Sequence, residues 1–418
     1  MDSLGYISIG VLGFTGLCLV LGIILGIIRG AKRSVLRFVI VLACAVAAFL
    51  LRNTFVETVK GIEIQGKTIT MFIEEALASG AEQESIKNLV NALVNIVISL
   101  GCYFVIFFGL QLVTWMIIFP LFKLIFFGSD RKLKDSGIRV RQHRFIGMII
   151  GLIQGVLVAF VVVAPLNGLL VKTYDLSKVE VNGQQAVKIP ENVGLDKYAE
   201  SPYCKIYSAA GNWYFEMLST GSYQNSANEQ KAISLSAAVD VVVTGSKFAA
   251  EVTLISEKMS EVSTNGEITV EIANQVRNSL KEMDTLVENL SDSATELIDG
   301  LIKDLAQVVS GSDVRDIAEY LPEDFSFSDV DFGSIGDAIV VIAEANTEED
   351  KAINSENAKV IVDAFINNEV IVNVIGDNFD GGLVNVTETE EAEIRNAINT
   401  SEITAEQKAK LLSVLLGE

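Results

Sequence analysis

Three stretches of this 418-residue chain run without one charged side chain for longer than a water-soluble core commonly requires. Tyr6 to Ile28 is charge-free for 23 residues, Asn88 to Phe122 for 35 and Phe145 to Val171 for 27. At ~1.5 Å of rise per residue, each is long enough as a helix to cross a hydrocarbon core of about 30 Å. A helix also satisfies its own backbone there, which an open strand does not. Asp2 precedes the first run, and Arg29, Lys32, Arg33 and Arg37 follow it, the reverse of a cleaved signal peptide, so the run is expected to stay as a span. A fourth segment, Phe38 to Leu51, has only 14 uncharged residues, ~21 Å of helix. Arg37 and Arg52 at its ends lengthen it if they snorkel outward; an interfacial or re-entrant helix is the competing reading.

Charge divides the chain in two. Residues 1–170 carry 15 Lys+Arg against 9 Asp+Glu, and the rest carries 17 against 44, for a net charge of −21. A basic apolar front half therefore precedes an acidic back half, which argues against nucleic acid as a partner. Lys and Arg also set orientation. The 29–37 turn has four basic residues and no acid, and the 123–144 segment has seven against two Asp. The 52–87 loop between them has four basic residues and six Glu. The two basic segments are therefore expected in the cytoplasm, and the N-terminus and everything after Val171 outside.

Glycines recur every four residues on two of the runs: Gly22, Gly26 and Gly30, and Gly147, Gly151 and Gly155, continued by Ala159. Such spacing lines one helix face and lets another backbone approach. The two triplets are expected to pack on each other near the inner membrane surface. The stretch Gly26-Ile-Ile-Arg29-Gly30, with its basic turn, and the run Arg144-Phe-Ile-Gly147-Met-Ile-Ile-Gly151-Leu-Ile-Gln-Gly155 together resemble the colicin V production protein (CvpA) family over roughly residues 1–170. The resemblance implies a multi-pass bacterial cytoplasmic-membrane protein linked to bacteriocin (toxin) production or upkeep of the cell envelope, with no established activity. The long acidic extension after residue 171 departs from the family pattern. Arg29 and Arg144 read as interfacial basic residues.

Asn88, Asn91, Asn95 and Ser99 form a polar stripe on the third span, with Cys102 close to it. Interhelical hydrogen bonds, about 0.6 kcal/mol each, are the plain reading, and a small-solute path the sharper one. Pro120 is expected to kink or end this helix. Cys18, Cys44 and Cys102 read as membrane-embedded small hydrophobes, and Cys204 as alone outside.

Beyond the spans, Asn182-Gly183 between β-prone runs suggests a small hairpin. Helix candidates cover about 203–219, 228–258, 268–310, 333–345, 355–375, 388–398 and 403–416, with turn signals at Gly221, 264–266, Gly311, 380–382 and Ser401. In 268–310, Ala273, Val276, Leu280, Met283, Val287, Leu290, Ala294, Leu297, Leu301 and Val308 fill heptad positions with a wide apolar stripe, the pattern of a bundle helix. Thr404 to Gln407 reads as a capping box. One His, His143, stands in a basic loop, and no cysteine cluster, nucleophile elbow or P-loop sequence occurs. Asp377 to Glu388 lacks oxygen ligands where a calcium loop needs them. Asp329 and Asp331 read as helix-cap or turn residues.

The expectation is an all-α membrane protein. A four-helix transmembrane domain over 1–171 (spans about 6–28, 35–52, 88–120 and 145–170) leads into an extracytoplasmic helical domain over 172–418 with a small β-hairpin at its start. It has no catalytic, cofactor or metal site. Its expected partners are the lipid bilayer and envelope or secretion proteins, with homo-oligomerisation left open. The alternative is a small-solute channel or transporter using the Asn stripe.

Overall fold

The structure, a computed structural model, describes residues 5–64, 67–68, 71, 84–118, 120–121, 143–181, 184–185, 188–190, 193–224, 230–265, 269–309, 326–347, 352–368 and 386–416. Among the described residues it is mainly helical, with three two-stranded antiparallel hairpins. Two compact units divide it, Met1–Val239 and Asp240–Glu418.

In the front unit α1 (Tyr6–Leu51) holds one non-helical residue, Gly30, at φ 72° and ψ 174°. Positive φ costs L-residues steric strain that glycine escapes, so the break falls there and not at a neighbour. A straight helix would set Phe14 ~46 Å from Ala45. Instead both belong to one core cluster with Val161, Val162 and Ala164, so the chain turns back at Gly30. A 3-10 turn (Arg52–Phe55), α2 (Val56–Lys60) and the short pair β1 (Glu63–Ile64) and β2 (Lys67–Thr68) follow. Helix α3 (Glu84–Val113) ends in a π turn, Thr114–Ile118, just before Pro120, whose missing N–H disturbs the ladder over the preceding turn. Helix α4 (Arg144–Ser177) begins at exposed His143, which has positive φ, and tolerates Pro165 in its interior.

Among the described residues three helices are long and apolar enough to cross a membrane: Tyr6–Lys60, Asn88–Ile117 and Arg144–Ser177. The four separate helices expected from sequence are thereby corrected to three, the first of them broken at Gly30. No connecting loop parts residues 31–51 from the first run, only the single backbone break at Gly30. Arg37 and Arg52 are also corrected: both are buried, not snorkelling outward. The basic segment at 123–142 lies outside the described residues.

The β3 (Glu180–Val181) and β4 (Gln184–Gln185) pair has Val181 opposite Gln184, the hairpin register expected around 182–183, which themselves lie outside the described residues. Helices α5 (Leu195–Ala199) and α6 (Pro202–Leu218) follow, then a hairpin of β5 (Thr220–Gln224) and β6 (Gln230–Ser234). These elements pack against α3 and α4, so the front unit continues to Val239, past residue 171. The helix expected from residue 228 instead starts as α7 (Leu235–Asn265), with Ser234 accepting the Ala237 N–H at 3.0 Å. Gln230–Ser234 of that stretch form a strand, with Ile233 buried, and residues 228–229 lie outside the described residues.

The back unit holds α8 (Val270–Glu288), α9 (Asp292–Val309), α10 (Phe332–Thr347), α11 (Ser355–Ile366), α12 (Glu388–Thr400) and α13 (Ala405–Leu416). The single helix expected over 268–310 is two. Asn289 caps the end of α8, and Ser291 accepts the Ala294 N–H at 3.3 Å to start α9, so local cap chemistry overrides the heptad. The seam residues Ala273, Val276, Leu280, Met283 and Val287 are buried nonetheless. The helix expected to 375 ends at Ile366; residues 369–375, Gly311 and 380–382 lie outside the described residues. Neighbours in sequence are neighbours in space: α10 packs on α11, α11 on α12 and α12 on α13. Ile361, Ile394, Ile398 and Leu415 are fully enclosed there.

Candidate functional site

The glycine triplets meet. A Cβ added to Gly26 would strike the Gly147 carbonyl and come within 3.1 Å of the Gly151 Cα. One on Gly22 would strike the Gly151 carbonyl and come within 3.2 Å of the Gly155 Cα. From the other side, a Cβ on Gly147 would lie 2.8 Å from the Gly30 Cα, and one on Gly155 2.5 Å from the Cys18 carbonyl oxygen. Partner numbers fall as residue numbers rise, so residues 6–29 of α1 run antiparallel to α4. The backbones touch directly, a distance at which Cα–H groups face carbonyl oxygens. Arg29 is half-buried beside the break, while Arg144, in the first turn of α4, is exposed.

The polar stripe faces protein. Asn88 donates from Nδ2 to the Gln224 carbonyl (3.3 Å), and the Ser99 hydroxyl donates to Asn53 Oδ1 (2.7 Å). Asn91 is half-buried, and the Oδ1 of Asn95 is buried with no partner among the described residues. Tyr103, one turn beyond Ser99, shares a 2.5 Å hydrogen bond between its hydroxyl and that of Tyr214.

Arg52 sits beside Asn53 and is only 5 % exposed. Its Nη2 donates to the Met217 carbonyl (3.0 Å) in the last turn of α6, where the helix dipole favours a cation. Its guanidinium carbon lies 4.3 Å above the Phe49 ring. Its Nε and Nη1, like the Ser219 hydroxyl, are buried with no partner among the described residues. Sequence reasoning took Arg52 for a flanking anchor and missed its place in this cluster. The available signal was an arginine followed by Asn53 at the end of an undersized apolar run.

In the back unit, carboxylates act between elements as backbone acceptors. Asp284 of α8 accepts the Phe332 (2.9 Å) and Gly333 (2.5 Å) N–H groups at the start of α10. Burial pushes the Asp284 carboxyl above its usual range; those two hydrogen bonds oppose the shift, and Asp331 and Glu288 reinforce it. Glu390 accepts N–H groups of Thr387 and Ile353, both at 2.9 Å, and the Thr387 hydroxyl at 2.7 Å. Burial alone would raise its pKa, but the three hydrogen bonds together hold it below the usual range. Asp331 caps α10 through the Ser334 N–H (2.8 Å), and Asp329 is exposed. Thr404 and Gln407 form the capping box, with bonds of 3.0 and 3.2 Å. Cys204 is buried in the front unit among Leu170, Val171 and Tyr198. Among the described residues no group of three His, Cys, Asp or Glu is placed to hold a metal ion.

No protein-family model, curated protein or solved structure matches this chain.

Proposed function

We propose that this chain is a non-enzymatic accessory protein of the bacterial cytoplasmic membrane, of the colicin V production type, acting in envelope upkeep or in export of a bacteriocin. The α1 stretch crosses the bilayer twice, reversing at Gly30, so that with α3 and α4 the chain makes four crossings. The N-terminus and the back unit lie outside, by the Lys and Arg bias of the turns. The back unit is the interaction domain for envelope or secretion proteins.

The observation that carries this reading is the inward use of the membrane unit's polar groups. Asn88 and Ser99 bond to Gln224 of β5 and Asn53 of the 3-10 turn, so these stripe residues are spent on packing within the front unit and not on lining a solute path. The resemblance at Gly26–Gly30 and Arg144–Gly155 supports the membrane context. The stacked helices of the back unit, with an acidic exterior, support a role in protein contacts. A small-solute path is the second reading, favoured by one observation, the unpartnered Oδ1 of Asn95.

Crosslinking in cells from the back unit, followed by identification of the captured proteins, tests the first reading. Envelope or secretion proteins are the expected capture, and their clean absence overturns it. A reporter fused after Glu418 is expected to be active only outside the cytosol; cytosolic activity overturns the topology. Replacing Asn91 and Asn95 by Leu separates the readings: solute flux into vesicles that the double variant abolishes would establish transport.

A further inference from the structure

We infer that α6 lies within the bilayer, not above it, and that its Ile206–Trp213 edge contacts lipid acyl chains. This rests on the membrane-spanning reading of α1, α3 and α4 and adds a fifth, non-spanning membrane element.

Depth is set by what α6 touches. The Tyr207 hydroxyl is 2.9 Å from that of Thr15, which stands near the middle of the Tyr6–Ile28 run. Tyr214 bonds Tyr103, well inside the Asn88–Phe122 run, and stacks on Phe160 at 5.7 Å between ring centroids. A Cβ on Gly211 would meet that of Ala164 at 2.5 Å, and Asn167 donates to Ser208 at 3.0 Å. Thr15 is nine residues from Tyr6 and thirteen from Ile28, ~14 and ~20 Å of helix, so a partner at its hydroxyl sits at hydrocarbon depth.

The opposite edge of α6 is open and largely apolar, with Asn212 the one exposed polar side chain among residues 206–215. Ile206 is 66 % exposed, Trp213 62 %, and Ala209, Ala210 and Met217 share that edge at helical spacing. The Trp213 ring stacks on Phe160 of α4 at 6.3 Å between centroids, so this edge lies directly beside that apolar helix. Residues 206–215 are charge-free, with Lys205 and Glu216 at the two ends. The Trp213 indole N–H donates to the Ala210 carbonyl of its own helix at 2.9 Å. Its one polar group is thereby satisfied without water, and the ring can enter hydrocarbon.

The chain has two tryptophans, Trp115 and Trp213, so each can be read alone. Full-length W115F protein is reconstituted into phosphatidylcholine vesicles brominated along the acyl chains. Trp213 is expected to lose most of its emission to the bromolipid and to be insensitive to aqueous iodide. Quenching by iodide and not by bromolipid overturns the inference, provided W213F protein, reporting from Trp115, is still quenched by bromolipid. Insensitivity to both quenchers means that protein, for example a second copy, covers the edge, and also overturns it. If neither tryptophan responds to bromolipid, the membrane-spanning reading itself fails.

Discussion

The two units close their helices by opposite means. In the front unit, α1 and α4 meet where side chains are missing: Gly22 and Gly26 lie against Gly147, Gly151 and Gly155, and backbone touches backbone. In the back unit, α11, α12 and α13 meet through enclosed Ile361, Ile394, Ile398 and Leu415. Acids hold the helix starts there, Asp284 at α10 and Glu390 at α12 and before α11. The difference is what the proposed surroundings, lipid for the front unit and water for the back unit, would require. In lipid, apolar side chains gain nothing from leaving the solvent, so close packing and weak polar contacts must hold helices together. In water, burying Ile and Leu is itself the driving force, and an acid can be desolvated where backbone donors receive it.

The largest expected effect lies in the core of the back unit. Ile398→Ala should cost ~2–5 kcal/mol and strip amide-exchange protection from α11 to α13 while leaving the α1–α4 seam protected. Equal loss of protection in both units would show that they do not fold on separate principles. Next, Gly151→Leu should open the seam at a cost of about 1–3 kcal/mol, read as earlier thermal unfolding in detergent. Gly109→Leu is the control: a Cβ there meets nothing within 4 Å, and the variant should unfold as the parent does. Gly30→Ala should cost ~1–2 kcal/mol, because its φ of 72° remains strained for any side chain.

Smaller effects come from the two carboxylates, and their signs are opposite. The Glu390 pKa is lowered in the fold, so its stabilisation is present above the unfolded value and is lost as pH falls through the folded one. Glu390→Gln should remove that acid-side loss of protection at α12. The Asp284 pKa is raised, so the stability linked to its protonation is complete below the unfolded value and is lost as pH rises through the folded one. Asp284→Asn should flatten that slope at α10. Exchange profiles between acid and neutral pH, read helix by helix, distinguish the two.

Much of this architecture was legible in the sequence. Charge-free length gave the long apolar helices, and the four-residue glycine spacing marked the faces that meet. The Thr404–Gln407 box and the hairpin around 182–183 were readable because each signal is local. The misreadings arose where a local signal was outweighed or concealed. The heptad through Leu290 hid a helix break that Asn289 and Ser291 mark only weakly. Gln230 to Ser234 looked like the start of a helix until its pairing with Thr220–Gln224 drew it into a hairpin, a non-local contact that periodicity does not encode. Arg52 looked like a surface anchor because its partner, the Met217 carbonyl, lies 165 positions away.

The sequence by itself determined which segments suit lipid and which suit water, since transfer of side chains between the two depends on their composition and not on their neighbours. Only the tertiary structure decided that Gly30 turns α1 back on itself, that α6 inserts among the apolar helices, and that Arg52 is enclosed. Each of these depends on which distant backbone comes within ångströms of another, and a chain read one window at a time carries no record of that.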